Sequence, residues 1–428
     1  MEKSVLLKSV QVLDPRSPWH GQTVDVLLKD GTIANVGTDL SEKEVSLVLT
    51  QEGSAISPGW VDAQAHFREP GEETKEGFIQ GLKAASAGGF TTVALLPSTE
   101  PPMDTAASMQ WVINASQRAH DAGIPSKALP MACISEHRKG QQLSEMHDLQ
   151  QSGAVAFTDD APIDRPGLLQ RALTYAQTHQ KVVIDQPFDE DLNAGGVMHE
   201  GKVSTMMGLA GTPGEAETIR VARDLDVLRY TGGRLHLAVL SSAQAVELVR
   251  IAKHEGLQVT CGTSVAHLMY CDEDLNGFQG ALRNAPPFRS ASDREGLRQG
   301  VLDGTIDVVV SDHRPEDLEA HDVEFMLSPH GMATLPSAFA MALTGLAEQA
   351  PSEALAGLLR ALTTGPAKHL GLDLPVVDKG SAVNLTWFHP TMTHQPVAHS
   401  KGANLPPLDE NVKGHVLGTF LSTRTWTH

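Results

Sequence analysis

No stretch of this chain approaches the roughly 20 consecutive apolar residues that cross a bilayer, so no membrane-spanning helix is expected. The opening residues, Met1-Glu2-Lys3-Ser4, are not a basic stretch followed by an apolar one, and no secretory leader is expected. Cysteine is scarce. Cys133, Cys261 and Cys271 have no zinc-site spacing, and an odd, sparse set suits a reducing compartment, which predicts a cytoplasmic protein. Basic charge is in deficit, with 33 Lys and Arg against 52 Asp and Glu and a net charge of −19. That balance argues against nucleic acid or an anionic membrane as the main partner; its plainest meaning is solubility. No G-x-G-x-x-G follows a first strand, which leaves a doubly wound open sheet with less support.

What is present is a recurrent alternation. Short apolar runs occur at Ile56–Ala63, Thr91–Leu96, Ala128–Ile134, Ala154–Phe157, Val182–Ile184, Leu235–Leu240, Val259–Gly262 and Ile306–Val310, mostly with room for a helix between them. In one interval Phe78, Leu82 and Ala85 share a helical face, and Gly88-Gly89 ends the helix before the next run. Apolar strands alternating with helices predict a parallel sheet covered on both faces. Eight such units predict an α/β protein built on a (β/α)8 TIM barrel, with its site at the C-terminal ends of the strands. The flanks differ, with short β-rich runs near 4–37 and 376–428 around turn residues such as Lys29-Asp30-Gly31-Thr32. They predict a small composite β-domain made of residues 1–55 and 373–428, with the barrel at 56–372. The Pro/Gly/Asn-rich stretch 390–414 is the expected mobile segment.

The tips of the predicted strands supply the polar groups. They are Gln64, His66 and Arg68 after the first, Ser98 after the second, Asp159-Asp160 after the fourth, Asp185-Gln186 after the fifth, Val239 within the sixth, and Ser311-Asp312-His313 after the eighth. Around them run Arg68-Glu69-Pro70-Gly71, Gly88-Gly89-Phe90-Thr91-Thr92-Val93, Ala156-Phe157-Thr158-Asp159-Asp160, His199-Glu200-Gly201-Lys202-Val203-Ser204, Gly211-Thr212-Pro213-Gly214-Glu215 and Pro286-Pro287-Phe288-Arg289. In these segments, spread over nearly its whole length, the chain resembles class I dihydroorotases of the amidohydrolase superfamily.

The resemblance implies a zinc centre held by two histidines after strand one, an aspartate after strand four, histidines after strands five and six, and an aspartate after strand eight. Zinc would lower the pKa of bound water towards neutrality, and the last aspartate would accept the proton. Of these positions His66, Asp160 and Asp312 match, whereas Gln64, Gln186 and Val239 stand where histidines are implied. A carboxamide is a poor zinc ligand, and valine has no donor atom. No metal cofactor is therefore expected, and Asp312 becomes a vestigial general-base position. On the substrate side the resemblance assigns Arg68 to a carboxylate and gives Ser98 and Ala285 where asparagines are implied, with Asn284 one place earlier. Glu316 replaces a histidine and would repel an anionic substrate.

Read alone, the same residues have plainer roles. His66 reads as a packed histidine, Asp160 and Asp312 as caps of following helices, Arg68 as an ion-pair partner for either aspartate, and His236, His267 and His313 as packing groups. The function this predicts is a non-catalytic dihydroorotase homologue of pyrimidine synthesis. By family analogy it would be a structural subunit that assembles with aspartate transcarbamoylase, itself a homo-oligomer. The alternative is an active hydrolase of dihydroorotate or another cyclic amide, with one zinc on His66, Asp160 and Asp312 and Gln64 or Gln186 as a weak carbonyl ligand.

Overall fold

The computed structural model describes residues 4–347, 351–394, 397–409 and 412–427. Parallel strands Trp60–Ala65, Phe90–Leu95 and Lys127–Pro130 form one sheet, and Val183–Asp185, Leu235–Leu237, Val259–Ser264 and Val308–Val310 form another. The run around Ala154–Phe157 joins them. It is too short for a ladder of its own, but Phe157 bridges Ala132 on one side and Val183 on the other. Closure comes at the remaining seam, where Ala65 bridges His313 and the His66 N–H donates to the His313 carbonyl at 2.8 Å. The result is an eight-membered closed barrel.

The first apolar run is two strands rather than one. Ala55–Pro58 pairs with Val5–Val12 and Asn384–His394, and the barrel strand begins only at Trp60. Gly59 between them lies so close to its neighbours that a Cβ would fall 2.0 Å from Asn384 Oδ1 and 2.3 Å from Thr91 Oγ1. The strand Ala55–Pro58 thereby joins an eight-stranded sheet drawn from both chain ends, running from Arg424–Thr427 across to Thr32–Gly37. Trp60 forms the joint between sheet and barrel. It is fully buried, with ring centroids 4.6 Å from Phe339 and 5.4 Å from Phe388. Burying an aromatic side chain of this size stabilises by roughly 2–3 kcal/mol before its ring contacts are counted.

Helices cover the outside of the barrel. Phe78–Ala87 buries Phe78, Leu82 and Ala85, and ends at Gly88 as its sequence suggests. Thr105 caps Ala106–Asp121 and Ser242 caps Ala243–His254 through their hydroxyls, each satisfying a backbone N–H that the helix cannot. Among the described residues no helix is long and apolar enough to cross a membrane.

The stretch expected to be mobile lies partly outside the described residues, and the remainder is pinned. Residues 397–409 cross the barrel mouth. Asn404, only 1% exposed, donates to the carbonyls of Arg314 and Gly331 and accepts from the Glu316 N–H. Buried Glu76 holds Ser400 and the Lys401 N–H in the same segment.

Candidate functional site

Four strand tips at the mouth have left-handed backbone at non-glycine residues: Arg68 (φ 59°), Asp160 (φ 48°), Val239 (φ 50°) and Asp312 (φ 50°). For β-branched Val239 this conformation is a true outlier, costing of order 1–3 kcal/mol. Such strain collects where a fold must aim side chains inward, and here it turns Asp160 and Asp312 towards a shared partner.

Asp160 and Asp312 converge on a single cation, the guanidinium of Arg314. Its Nη1 and Nη2 fork onto Asp160 at 3.1 and 2.6 Å, and its Nε donates to Asp312 Oδ1 at 3.1 Å. Gln64 and Gln186 complete the enclosure. Gln64 Nε2 donates to Asp312 Oδ1 at 2.9 Å, and Gln186 Nε2 to Asp160 Oδ1 at 2.7 Å. Ser98 Oγ also donates to Asp160. The carboxyl of Asp160 is held down at about 2 although burial alone would raise it; Arg314 is the main opposing cause, with the Ser98 hydroxyl adding to it. Arg314 itself is shifted upwards by the two carboxylates.

The same contacts test the zinc centre that the resemblance implies, and the residues do not fit it. Both carboxylates are already charge-compensated, and both carboxamides point N–H groups, not carbonyls, at them. His66 has no lone pair to offer. Its Nδ1 accepts from the Arg68 N–H at 3.1 Å, so Nε2 carries the proton, facing the Ser98 carbonyl and hydroxyl at 2.9 Å. Val239 contributes only a hydrocarbon wall. Among the described residues no group of three or more His, Cys, Asp or Glu is arranged to hold a metal ion.

The second half of the site is locked in the same way. Arg68 does not pair with Asp160 or Asp312, as the sequence suggested; Arg314 has taken both. Arg68 instead pairs with Glu316 at 2.5 Å and Glu72 at 3.3 Å and donates from Nε to the Pro315 carbonyl. Glu316 is buried and binds Lys75 at 2.8 Å through its other oxygen. It is therefore not a bare negative charge in an open pocket. It is an internal carboxylate seated on the arginine that the resemblance assigns to a substrate carboxylate. A single turn, Asp312-His313-Arg314-Pro315-Glu316, places a cation on the two acids and an anion on the arginine.

The remaining expected positions separate cleanly. Asp159 points away from the mouth and binds the backbone of Ile134 and Ser135. His267 lies between Ser264 Oγ and the Pro286 carbonyl, and His313 packs against the Leu335 N–H. Neither Asp160 nor Asp312 accepts a helix cap. A mouth cavity of about 120 Å³ persists beside Gln186, Val239, Asn284 and Pro286–Pro287. Sequence reasoning missed Arg314, Lys75 and Asn404. The signal for Arg314 was there: a basic residue inside a strand-tip turn that carries an aspartate two places before it.

Neutral His66 has a measurable signature. Burial, chiefly, and the Arg68 charge hold its pKa down at about 3. An unfolded histidine titrates near 6.5, so the unfolded state takes up a proton that the folded state refuses. The contribution of His66 is complete above pH 6.5 and is lost as pH falls towards 3. The penalty of His66→Asn should accordingly shrink by roughly 2 kcal/mol between pH 7 and pH 5, read from urea unfolding of both proteins. A penalty independent of pH would mean that this histidine is charged or exposed.

Comparison with known proteins places these features in context. Residues 53–245 match the family described as dihydro-orotase-like. The dihydroorotase of Pelotomaculum thermopropionicum is 37% identical over 425 residues, covering 98% of this chain and 97% of the relative. That of Syntrophus aciditrophicus is 36% identical, covering 98% of both. Among solved structures, the L-hydantoinase (dihydropyrimidinase) of Arthrobacter aurescens superposes with a TM-score of 0.82 at 20% identity, covering 100% of this chain and 96% of that one. A D-hydantoinase (dihydropyrimidinase) from Thermus sp. gives 0.80 at 18% identity, covering 99% and 95%. At such identities the structures speak to the fold: an amidohydrolase barrel with an attached β-domain.

Proposed function

The chain belongs to the dihydroorotase-like family, and we propose that it is a member without metal-dependent hydrolysis, serving pyrimidine synthesis as a structural subunit that assembles with aspartate transcarbamoylase. The observation that carries the first half is Arg314, whose guanidinium bridges the two aspartates that would otherwise hold metal. A bound cation of fixed charge and five donors satisfies both acids without offering an acidic water or an open coordination position. With Glu316 on Arg68, the barrel mouth neither assembles a nucleophile nor receives a carboxylate substrate.

The partner rests on family analogy. A fold kept in full beside a site that has been filled in is what a role based on surface would leave. The test is to mix the purified chain with aspartate transcarbamoylase from the same source and run size-exclusion chromatography with light scattering. A co-eluting species at micromolar concentration is expected, since a stable interface of roughly 1,200–2,000 Å² or more supports affinities in that range. Separate elution, with transcarbamoylase activity indifferent to this chain, removes the structural reading. A second reading, a working hydrolase, is favoured by the names of the relatives, which are dihydroorotases at 35–37% identity. Turnover of dihydroorotate with and without added zinc decides between the two readings.

A further inference from the structure

The opposite end of the barrel carries a second polar cavity, of about 310 Å³, where the strands Val183–Asp185, Leu235–Leu237, Val259–Ser264 and Val308–Val310 begin. Arg234, Lys253, Lys368 and His369 line it, with Asp307 as the single carboxylate. The lining therefore carries a surplus of positive charge in a chain whose net charge is −19.

The cations are not consumed by one another's partners. Asp307 is shared between Lys253 Nζ at 2.6 Å and the Cys261 N–H at 3.0 Å. Lys253 gives a second hydrogen to the Thr305 carbonyl and keeps a third. Arg234 is fixed in place by donating to the carbonyls of Gln180, Lys368 and His369, none of which neutralises its charge. The Lys368 ammonium has no hydrogen-bond or ion-pair partner among the described residues. Burial lowers the neighbouring Lys181 ammonium, and the Arg234 charge adds to the effect. The independent observation is His369. It is 1% exposed, stacked on His236 with ring centroids 4.0 Å apart, and its Nε2 has no hydrogen-bond partner. Buried polar atoms are costly to leave unpaired, so they usually face something that completes them.

We propose that this cavity binds a small phosphate-type oxyanion, held by Lys368, Arg234 and Lys253 with His369 completing the donor set. A dianion matches the surplus charge, and its several acceptor oxygens match donors that converge from different elements. The site lies at the far end of the barrel from Arg314 and does not depend on the proposed structural role.

The full-length chain would be titrated with inorganic phosphate, against sodium chloride of equal ionic strength, by calorimetry and by thermal melting. Saturable binding with a rise in melting temperature is expected for phosphate only. Lys368→Glu, on an exposed side chain, should weaken phosphate roughly tenfold or more, because it removes a charge-assisted donor and adds a repulsion. Lys368→Arg should retain binding. Ribose 5-phosphate distinguishes the source: competition with phosphate identifies a phosphomonoester site, and its failure to compete identifies a free-anion site. Absence of any saturable phosphate effect beyond chloride, or an effect undiminished in a folded Lys368→Glu protein, overturns the proposal.

Discussion

Dihydroorotate incubated with this protein should be recovered unchanged, whether or not zinc or manganese is added. Hydrolysis of a cyclic amide in a barrel of this kind requires a water made acidic at the mouth and a base to take its proton. Arg314 occupies the ground between Asp160 and Asp312, and Asp312 already accepts from both Arg314 and Gln64. Without that nucleophile the loss is the bulk of a hydrolase's acceleration, at least about a million-fold, which leaves only background. Added metal should not help, because a divalent ion would have to displace a guanidinium making three hydrogen bonds to the two acids. The measurement is ring opening followed by ultraviolet absorbance at high protein concentration. Metal-dependent turnover that disappears in Asp312→Asn would reinstate the hydrolase.

Removing the guanidinium should have the largest effect on stability. Arg314→Met leaves Asp160 and Asp312 facing each other in a buried site with no counter-charge. Breaking such a pair from one side costs about 3–5 kcal/mol, with the lower part of the range apt because Arg314 is 19% exposed. The acid behaviour should change with it. Asp160 titrates at about 2 in the folded protein, below its unfolded value, so its contribution is present above pH 4 and lost as pH falls towards 2. In Arg314→Met that contribution disappears or reverses, and stability should improve on mild acidification. Asp160→Asn added to Arg314→Met should recover part of the loss. Urea unfolding of the four members of this cycle between pH 3 and pH 7 gives the answer; additive penalties would show that the two residues do not interact.

The same residue governs repair. Gln64→His, Gln186→His and Val239→His together should gain little zinc affinity while Arg314 is present, and should bind zinc once Arg314→Ala is added.

Much of this was readable from the chain, for identifiable reasons. Apolar runs spaced by helical intervals gave the barrel, because burial on both faces writes a strand as a continuous apolar run. The tip residues Gln64, His66, Asp160, Gln186, Val239 and Asp312 could be placed because a parallel strand delivers its last side chains to one rim. Pairing at that rim was not readable. Arg68 and Arg314 are both flexible cations at strand tips, and although the turn Asp312-His313-Arg314 makes Arg314 a candidate, the sequence does not fix which of the two takes the acids. The choice depends on the left-handed turn at Asp312 and on Asn404, nearly a hundred residues later, which fixes that turn from above. The split at Gly59 was missed for a similar reason: two strands in line look like one until the partners Asn384 and Thr91 are known.

The guanidinium at the mouth differs from a metal ion in one respect that bears on the life of the protein. It is made with the chain. It cannot be stripped by a chelator, exchanged for a competing metal or lost in a cell starved of zinc. This chain carries its counter-ion at a stoichiometry of one, from synthesis to degradation, on the same polypeptide as the two acids it serves.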